Sequence, residues 1–401
     1  MRAAPGPERP LRVLLVCGRL DPERDGVGDY VVRLAASLAA RGAVVRILHT
    51  GAGTAVRSAR SAGASWGPAA LLRAARAARG ADVVHVQFAP SMYGFRIGVG
   101  LLPLVLGRRR LVATLHEYGW WRWERRLPEA LWRRLEALRL ADRETGLLVP
   151  RAGGVITTNR GHEDAVQRRF PGALPTATIP IGANVAVADA AVSDDARRAV
   201  RHELGVPEDA ALLAFFGFVH PVKGVRYLAT ALAALREEGR DVHAVVVGGF
   251  ESLALPADEA AAFETDLRAD IEAAGVADRV HITGFRAPDA VSRILGAADA
   301  GVLPFTHGVT AKSGSLLTLL AHGLPTVVTA GGEAEPELVD GDRVVVVPAV
   351  RDGAALADGL RRVLDDAGLA RGVADRGTRW AEEHDWDGIA ERHLAVYAGA
   401  A

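Results

Sequence analysis

Short apolar runs, each about a strand long, recur along the chain and alternate with polar, glycine-containing loops and amphipathic stretches. In the first half they predict strands over Arg12–Cys17, Val44–His49, Asp82–Gln87, Leu111–Leu115, Gly154–Thr157 and Ala177–Pro180. In the second half they predict Leu212–Gly217, His243–Gly248, Arg279–Thr283, Gly301–Phe305, Thr326–Thr329 and Val344–Val347. The runs are continuous rather than alternating, as expected of strands covered on both faces. Val31–Ala40 reads as the first crossover helix, with Gly42 as its C-terminal cap. Parallel strands need such crossovers, so the pattern predicts doubly wound α/β architecture.

The rhythm breaks between about Ala186 and Asp209, where alanines, acids and a short Arg-rich helix replace it, and then restarts. The period is far too long for a solenoid. The expectation is two Rossmann-like domains, 1–185 and 210–384, joined by a linker over 186–209. Two such domains face across a cleft between the carboxyl ends of their strands, where open α/β sheets bind ligands. The chain closes with helical stretches at Leu369–His384 and Trp386–Ala398. Residues 385–401 would form a last helix, a candidate to pack back across the domain junction.

Composition narrows the partners. Across 401 residues, 49% are hydrophobic and 24% charged, with formal net charge zero. That balance argues against nucleic acid as a partner. The single cysteine, Cys17, lies in an apolar strand, so neither an intrachain disulfide nor a Cys-based metal site is available. The N-terminal MRAAPGPERPLR lacks the apolar stretch of a signal peptide, and a cytoplasmic protein is the expectation. The run Ile97–Gly107 precedes Arg108, Arg109 and Arg110. Its length favours a buried crossover helix, with weak peripheral contact to a membrane surface as the alternative. Nothing in the pattern bears on oligomeric state.

The chain holds only two lysines, Lys223 and Lys312, against 46 arginines. Both sit in short loops that follow an apolar strand and open a helix. An ammonium is a compact charge suited to crowded phosphate oxygens, where guanidinium is a broad fork. Helix N-termini add N–H donors and partial positive charge. The two lysines are therefore candidates to face one bound diphosphate; the competing reading is chance survival in an Arg-biased composition.

A set of phrases in order then resembles the GT-B glycosyltransferases, and glycosyltransferase family 4 in particular. These are GVGDYVVRLAASLAARG, ATLHE, IPIGANV, FGFVHPVKG, HITGF, and GSLLTLLAHGLPTVVTAGG followed by PELVDG. The resemblance spans nearly the whole chain. It implies a retaining enzyme that takes a nucleotide sugar as donor, needs no cofactor or metal, and passes the sugar to a sugar or small-molecule acceptor.

Gly26 and Gly28 after the first strand allow close backbone approach to a ligand. A dinucleotide fingerprint fails here, because Val31 holds the third glycine position and His49 and Thr50 end the second strand without an acid for a ribose. The resemblance places this loop against the donor sugar and its diphosphate. His116, at a strand's carboxyl end, is either a structural histidine or one that orients a sugar hydroxyl or assists proton movement. Similar enzymes carry a histidine there against the transferred sugar. Tyr118–Trp132 contains Trp120, Trp121, Trp123 and Trp132, four of seven tryptophans, interleaved with arginines. That segment suits an acceptor platform or a helical hairpin packed on the domain.

Gly217 to Gly224 matches the family loop ending in Lys223-Gly224, but Phe218 stands at the usual arginine, with His220 two residues on. Lys312 is the candidate to supply the missing charge. Ser313, Gly314 and Ser315 would open the next helix toward the same diphosphate. Thr310 and Thr318 occupy the positions of the family's paired glutamates. A threonine cannot make the charged bidentate contact of a carboxylate, so the donor is gripped differently, bound more weakly, or not turned over. Phe285 and Arg286 follow HITG, where the resemblance places the nucleotide base. Gly331, Gly332 and Glu333 form another polar loop or a plain turn. No carboxylate pair suggests double displacement. The expected assignments are His116, Lys223 and Lys312 in catalysis, and the other loop residues in donor binding. The rivals are a non-catalytic nucleotide- or glycan-binding homologue and a GT-B phosphorylase or epimerase-like enzyme.

Overall fold

The computed structural model describes residues 9–51, 56–107, 110–188, 193–251, 255–332 and 335–399. It divides into two units, Met1–Ile181 with Trp386–Ala401, and Gly182–Asp385. Both are Rossmann-like, as the apolar runs predict.

The first unit opens with β1 (Arg12–Arg19), α1 (Gly26–Ala40), β2 (Val44–Thr50), β3 (Ala59–Ser61), α2 (Pro68–Ala78) and β4 (Val83–Phe88). Then come α3 (Pro103–Leu106), β5 (Arg110–Leu115), α4 (Glu129–Ala137), β6 (Gly154–Thr157), α5 (Arg160–Arg169) and β7 (Thr176–Thr178). The strands form a seven-stranded sheet in the order β3-β2-β1-β4-β5-β6-β7, with every described pairing parallel. The short edge strand β3 carries too few apolar residues to register as a run.

Helix α1 starts five residues before the expected Val31, because Asp25 caps it by accepting from the Gly28 amide at 2.8 Å. Gly26 and Gly28 therefore lie in a helical first turn rather than in a loop. The run Ile97–Gly107 folds as a 3₁₀ turn at Gly98–Leu101 followed by the one-turn α3, not as a full crossover helix. Pro103 explains the break, since it cannot continue a preceding helix. Arg108 and Arg109 lie outside the described residues.

The second unit runs α6 (Asp194–Leu204), β8 (Ala211–Phe216), α7 (Val225–Glu237), β9 (Val242–Val247), α8 (Ala257–Ala273) and β10 (Val280–Gly284). It continues with α9 (Pro288–Gly296), β11 (Ala300–Leu303), α10 (Gly314–Ala321), β12 (Thr326–Thr329), β13 (Val345–Val347), α11 (Gly353–Asp365) and α12 (Ala367–Glu382). Its six strands lie in the order β10-β9-β8-β11-β12-β13. Consecutive strands run outward from β8 in one direction and from β11 in the other, so the order reverses between these two neighbours. The unit begins at Gly182, ahead of the expected linker: the Asn184 and Val185 amides donate to Thr318 Oγ1 at 2.9 and 3.3 Å. Within the stretch read as linker, Arg197 and Arg201 of α6 pair with Asp299, just before β11.

The final helix, α13 (Trp386–Gly399), belongs to the first unit. It buries Ile389, Ala390, His393 and Tyr397, a helical face. Trp386 lies 5.2 Å from the Tyr30 ring of α1, centroid to centroid. Tyr397 reaches the central strand β4, where its hydroxyl bonds His85 Nδ1 at 2.8 Å. This bond is made where both groups are sealed from water, so losing it leaves a buried imidazole nitrogen unpartnered. Tyr397→Phe is expected to cost about 1–3 kcal/mol of unfolding free energy, read by urea denaturation. An unchanged midpoint would show that the hydroxyl carries no such weight.

Candidate functional site

In the second unit, the loops after β8 and β11 leave the two strands between which the order reverses. That carboxyl-end crevice is where doubly wound sheets bind ligands. Both lysines are carried by these loops.

The β8 loop is seated by glycines. Gly217 has φ +133°, and a Cβ there would lie 2.7 Å from Ser315 Oγ, so the strand end abuts the first turn of α10. Gly224 has φ +68°, and a Cβ there would stand 1.8 Å from the Pro304 carbonyl oxygen, just past β11. The positive φ disfavours any other residue at both, and at Gly224 the carbonyl leaves no room for a Cβ. Between them, His220 caps a 3₁₀ turn over Pro221–Lys223, its Nδ1 accepting from the Val222 amide at 3.3 Å. Lys223 Nζ then lies 3.7 Å from the centre of the Phe305 ring, a cation–π contact. Burial lowers the Lys223 ammonium to about 8. Burial and the nearby Lys223 charge also lower the His220 imidazole.

The β11 loop turns at Thr310, whose carbonyl accepts from the Ser313 amide at 3.0 Å. Ser313 then caps α10, its Oγ accepting from the Leu316 amide at 3.3 Å. Lys312 is half-buried in this turn, and its charge acts on the Glu335 carboxyl. Burial raises that carboxyl, while the Ala311 amide and Lys312 pull it down. Gly314 faces Asn184: a Cβ would sit 1.8 Å from Asn184 Oδ1. The structure thus assembles Gly217, His220, Lys223, Gly224, Ser313, Gly314 and Ser315 at one end of one sheet, with Lys312 and Thr310 in the adjoining turn. It adds Asn184, which lies in the quoted phrase IPIGANV but was not singled out, and Glu335, which falls just before PELVDG.

Thr318 stands apart from this group. It is fully buried, and its hydroxyl accepts from the Asn184 and Val185 amides. Its expected donor contact gives way to an internal one, because a short side chain one turn into α10 reaches the junction backbone and no farther. Phe285 is 56% exposed, and Phe285 and Arg286 lie past β10, two strands away from β8. Gly331 packs on the His307 carbonyl, while Glu333 lies outside the described residues.

In the first unit, Gly26 borders open space, whereas a Cβ on Gly28 would meet the Asp21 backbone at 3.1 Å. Gly28 therefore serves the seating of α1 on its own preceding loop. His116 follows β5 and is buried edge-on to Tyr30, with centroids 4.7 Å apart. Its Nε2 bonds Gln87 Oε1 at 2.9 Å, and the Gln87 amide nitrogen faces the His85 ring at 3.1 Å. His85 Nε2 bonds Thr114 Oγ1 at 2.7 Å. Burial drives His85 well below the ordinary imidazole range, so it stays neutral. A neutral His85 beside the Gln87 NH₂ leaves the Gln87 carbonyl oxygen for His116, which then donates from Nε2. Gln87 and His85 were not singled out from sequence, although polar residues at alternate positions of an otherwise apolar strand were the available signal.

Comparison with known proteins agrees with this architecture. Residues 24–187 match the family model described as Glycosyltransferase Family 4, and residues 210–366 match Glycosyl transferases group 1. The chain is 27% identical over 252 residues to a D-inositol 3-phosphate glycosyltransferase of Corynebacterium diphtheriae, covering 62% of this chain and 56% of that protein. It is 27% identical over 265 residues to a 2-deoxystreptamine glucosyltransferase of Streptomyces kanamyceticus, covering 62% of each. The chain thus spans less than two thirds of these curated relatives. Its fold matches the crystal structure of Anabaena HepE in complex with UDP and glucose, with TM-score 0.74 at 17% identity over 97% of this chain and 99% of that one.

The hydrogen bonding around Gln87 makes a direct prediction. Nitrogen-15 NMR of the wild type should show His116 protonated at Nε2, and Gln87→Leu should shift it toward the other tautomer. The same tautomer in both proteins would remove Gln87 from this role.

Proposed function

We propose that the chain, which has the GT-B fold and carries a family 4 domain over residues 24–187, is a family 4 glycosyltransferase that transfers a sugar from a nucleotide-sugar donor to a hydroxyl acceptor with retention of configuration. The observation that carries this reading is the placement of Lys223 and the α10 N-terminus in the two loops flanking the strand-order reversal of the second unit. The curated relatives are named as glycosyltransferases, and the HepE complexes hold UDP and UDP-glucose, which supports a nucleotide sugar as donor.

Glycosidic cleavage leaves a diphosphate whose negative charge must be stabilised as it develops. Lys223 and the free amides of α10 supply fixed positive charge and donors for that oxyanion. Lys312 replaces the arginine that Phe218 displaces, exchanging its Glu335 neighbour for the diphosphate. The leaving diphosphate takes the acceptor proton as the acceptor hydroxyl attacks from the same face of an oxocarbenium-like centre. The carbon–oxygen bond to the diphosphate breaks as the bond to the acceptor forms. His116, with its tautomer set by Gln87, orients the sugar and contributes to positioning. The lysine charges take the place of a divalent ion. No helix among the described residues is long and apolar enough to cross a membrane.

A second reading draws on one observation: Thr318, at the family's ribose-holding glutamate, is committed to the junction backbone. A nucleotide- or glycan-binding homologue without turnover fits that loss. Demonstrated transfer would eliminate it.

Three outcomes test the proposal. In calorimetry with UDP, GDP, ADP and TDP, one nucleotide should bind selectively, and Lys223→Ala and Lys312→Ala should each weaken it about tenfold or more, roughly 1.5–3 kcal/mol for a charged hydrogen bond. Wild-type affinity in Lys312→Ala would end the compensation argument, and no binding by any folded variant would favour the second reading. Because Lys223 titrates near 8, affinity should hold at pH 7 and fall as pH rises through 8 to 9, when the ammonium is lost. That slope should vanish in Lys223→Ala. Transfer should also survive EDTA; abolition with rescue by manganese would overturn the metal-independent part.

A further inference from the structure

The hydrogen bond to Gln87 fixes one nitrogen of the His116 ring, and the His116 amide, donating to the Phe88 carbonyl at 2.8 Å, fixes its backbone. The plane of the ring is set by Tyr30 of α1, which stands edge-on with centroids 4.7 Å and planes 77° apart. A ring held through one nitrogen can still turn about that bond. A second ring packed near a right angle removes the freedom.

Tyr30 is itself tied down from the far end of the chain. It lies on the buried face of α1 with Val31, Leu34 and Leu38, and burial raises its phenol. Its hydroxyl meets Nε2 of His393, on α13, at 3.2 Å across 363 residues of sequence. His393 Nδ1 lies 2.8 Å from the Ile389 carbonyl, which can only accept, so Nδ1 carries the proton. Burial holds this imidazole down to about 4, so the ring is neutral and Nε2 is left to accept. The Tyr30 hydroxyl is therefore the donor. Trp386, the first residue of α13, packs on the Tyr30 ring with centroids 5.2 Å apart.

Core stability does not call for this pair. A phenylalanine would fill the same place on α1, and a leucine in place of His393 would need no partner. Exchanging both members of a buried polar pair for apolar groups of like shape is often neutral. What the pair supplies is direction. A hydrogen bond has a preferred angle that apolar contact lacks, and a fully satisfied buried network holds its members in one arrangement.

We propose that Tyr30 is a positioning residue for His116, locked by His393 and Trp386 of α13 so that the imidazole keeps one orientation. This role rests on the reading of His116 as the group that orients the sugar, and extends it to side chains that act through another. It also gives α13 a second route to the candidate site, through α1, beside the one that runs from Tyr397 through His85 to Gln87.

The test is read first on the ring itself, in full-length protein labelled at histidine with nitrogen-15. Exchange of the His116 Nε2 proton with water should be about tenfold faster in Tyr30→Leu than in the wild type. Tyr30→Phe and His393→Leu, which keep an aromatic ring at position 30 and lose only its tie, should each speed it about threefold. Wild-type exchange in all three would overturn the proposal, and a lowered Tm with wild-type exchange would leave Tyr30 a packing role only. With UDP-glucose as the probe donor, kcat for UDP release should fall about tenfold in Tyr30→Leu while KM changes less than about twofold. Added to His116→Ala, Tyr30→Leu should cost nothing further, since it acts only through the imidazole; additive losses would overturn the proposal. Turnover unchanged in His116→Ala would sink the reading of His116 and this role with it. A His116→Ala loss that Tyr30→Leu does not share would sink this role alone. Where UDP-glucose is not turned over, the exchange rates decide by themselves.

Discussion

Backbone packed on backbone, too closely for any Cβ between, holds the candidate donor site together. Gly224 lies against the Pro304 carbonyl and Gly248 against the Gly217 carbonyl, while Gly217 itself faces the Ser315 hydroxyl. All three glycines have positive φ, so each position favours glycine by torsion, and Gly224 and Gly248 demand it by space as well. These contacts draw the ends of β8, β9 and β11 together and hold the Lys223 loop over Phe305. The ammonium is then partly stripped of water, which lowers its proton affinity, while the ring face offers it compensating attraction. A phosphate group would supply the charge that this arrangement lacks.

The first unit solves a different problem, that of placing polar chemistry inside a central strand. Every residue of β4 is buried, yet His85 and Gln87 sit in it. An unpaired polar group there would cost about 1–3 kcal/mol. Thr114 from the neighbouring strand and Tyr397 from the last helix supply the partners. The C-terminal helix is therefore part of the architecture behind His116, through Tyr397 and His85 to Gln87. Burial holds His393 of the same helix down to about 4, so it stays neutral and accepts or donates as Tyr30 requires.

The tryptophan-rich segment shows how much depends on what lies beneath an irregular loop. Four tryptophans in one stretch suggest either a platform or a packed hairpin, and the structure divides them. Trp121 and Trp132 pack inward, and Trp120 and Trp123 face out. The division is enforced from the 142–144 segment, twenty residues on. Glu144 there is pushed up to about 7 by burial, with Oε2 lacking a hydrogen-bond partner among the described residues. Burial there outweighs the opposing pull of the Arg169 charge beside it.

The apolar runs and their spacing determined the class of fold and most strands, because parallel strands covered on both faces leave a local, continuous signature. The glycine-bearing loops that carry the two lysines were legible for a similar reason: a sharp turn at a strand end needs glycine at particular offsets. The start of α1, the fate of Thr318, and the joining of Gln87, His85 and Tyr397 were decided only by the tertiary structure. Each is a hydrogen bond whose partner is specified by three-dimensional proximity. Asp25 claims Gly28 locally, but Thr318 meets Asn184 across 134 residues, and His85 meets Tyr397 across 312. A side chain's capacity to bond is written in its type; which group it bonds depends on the packing that seals both from water.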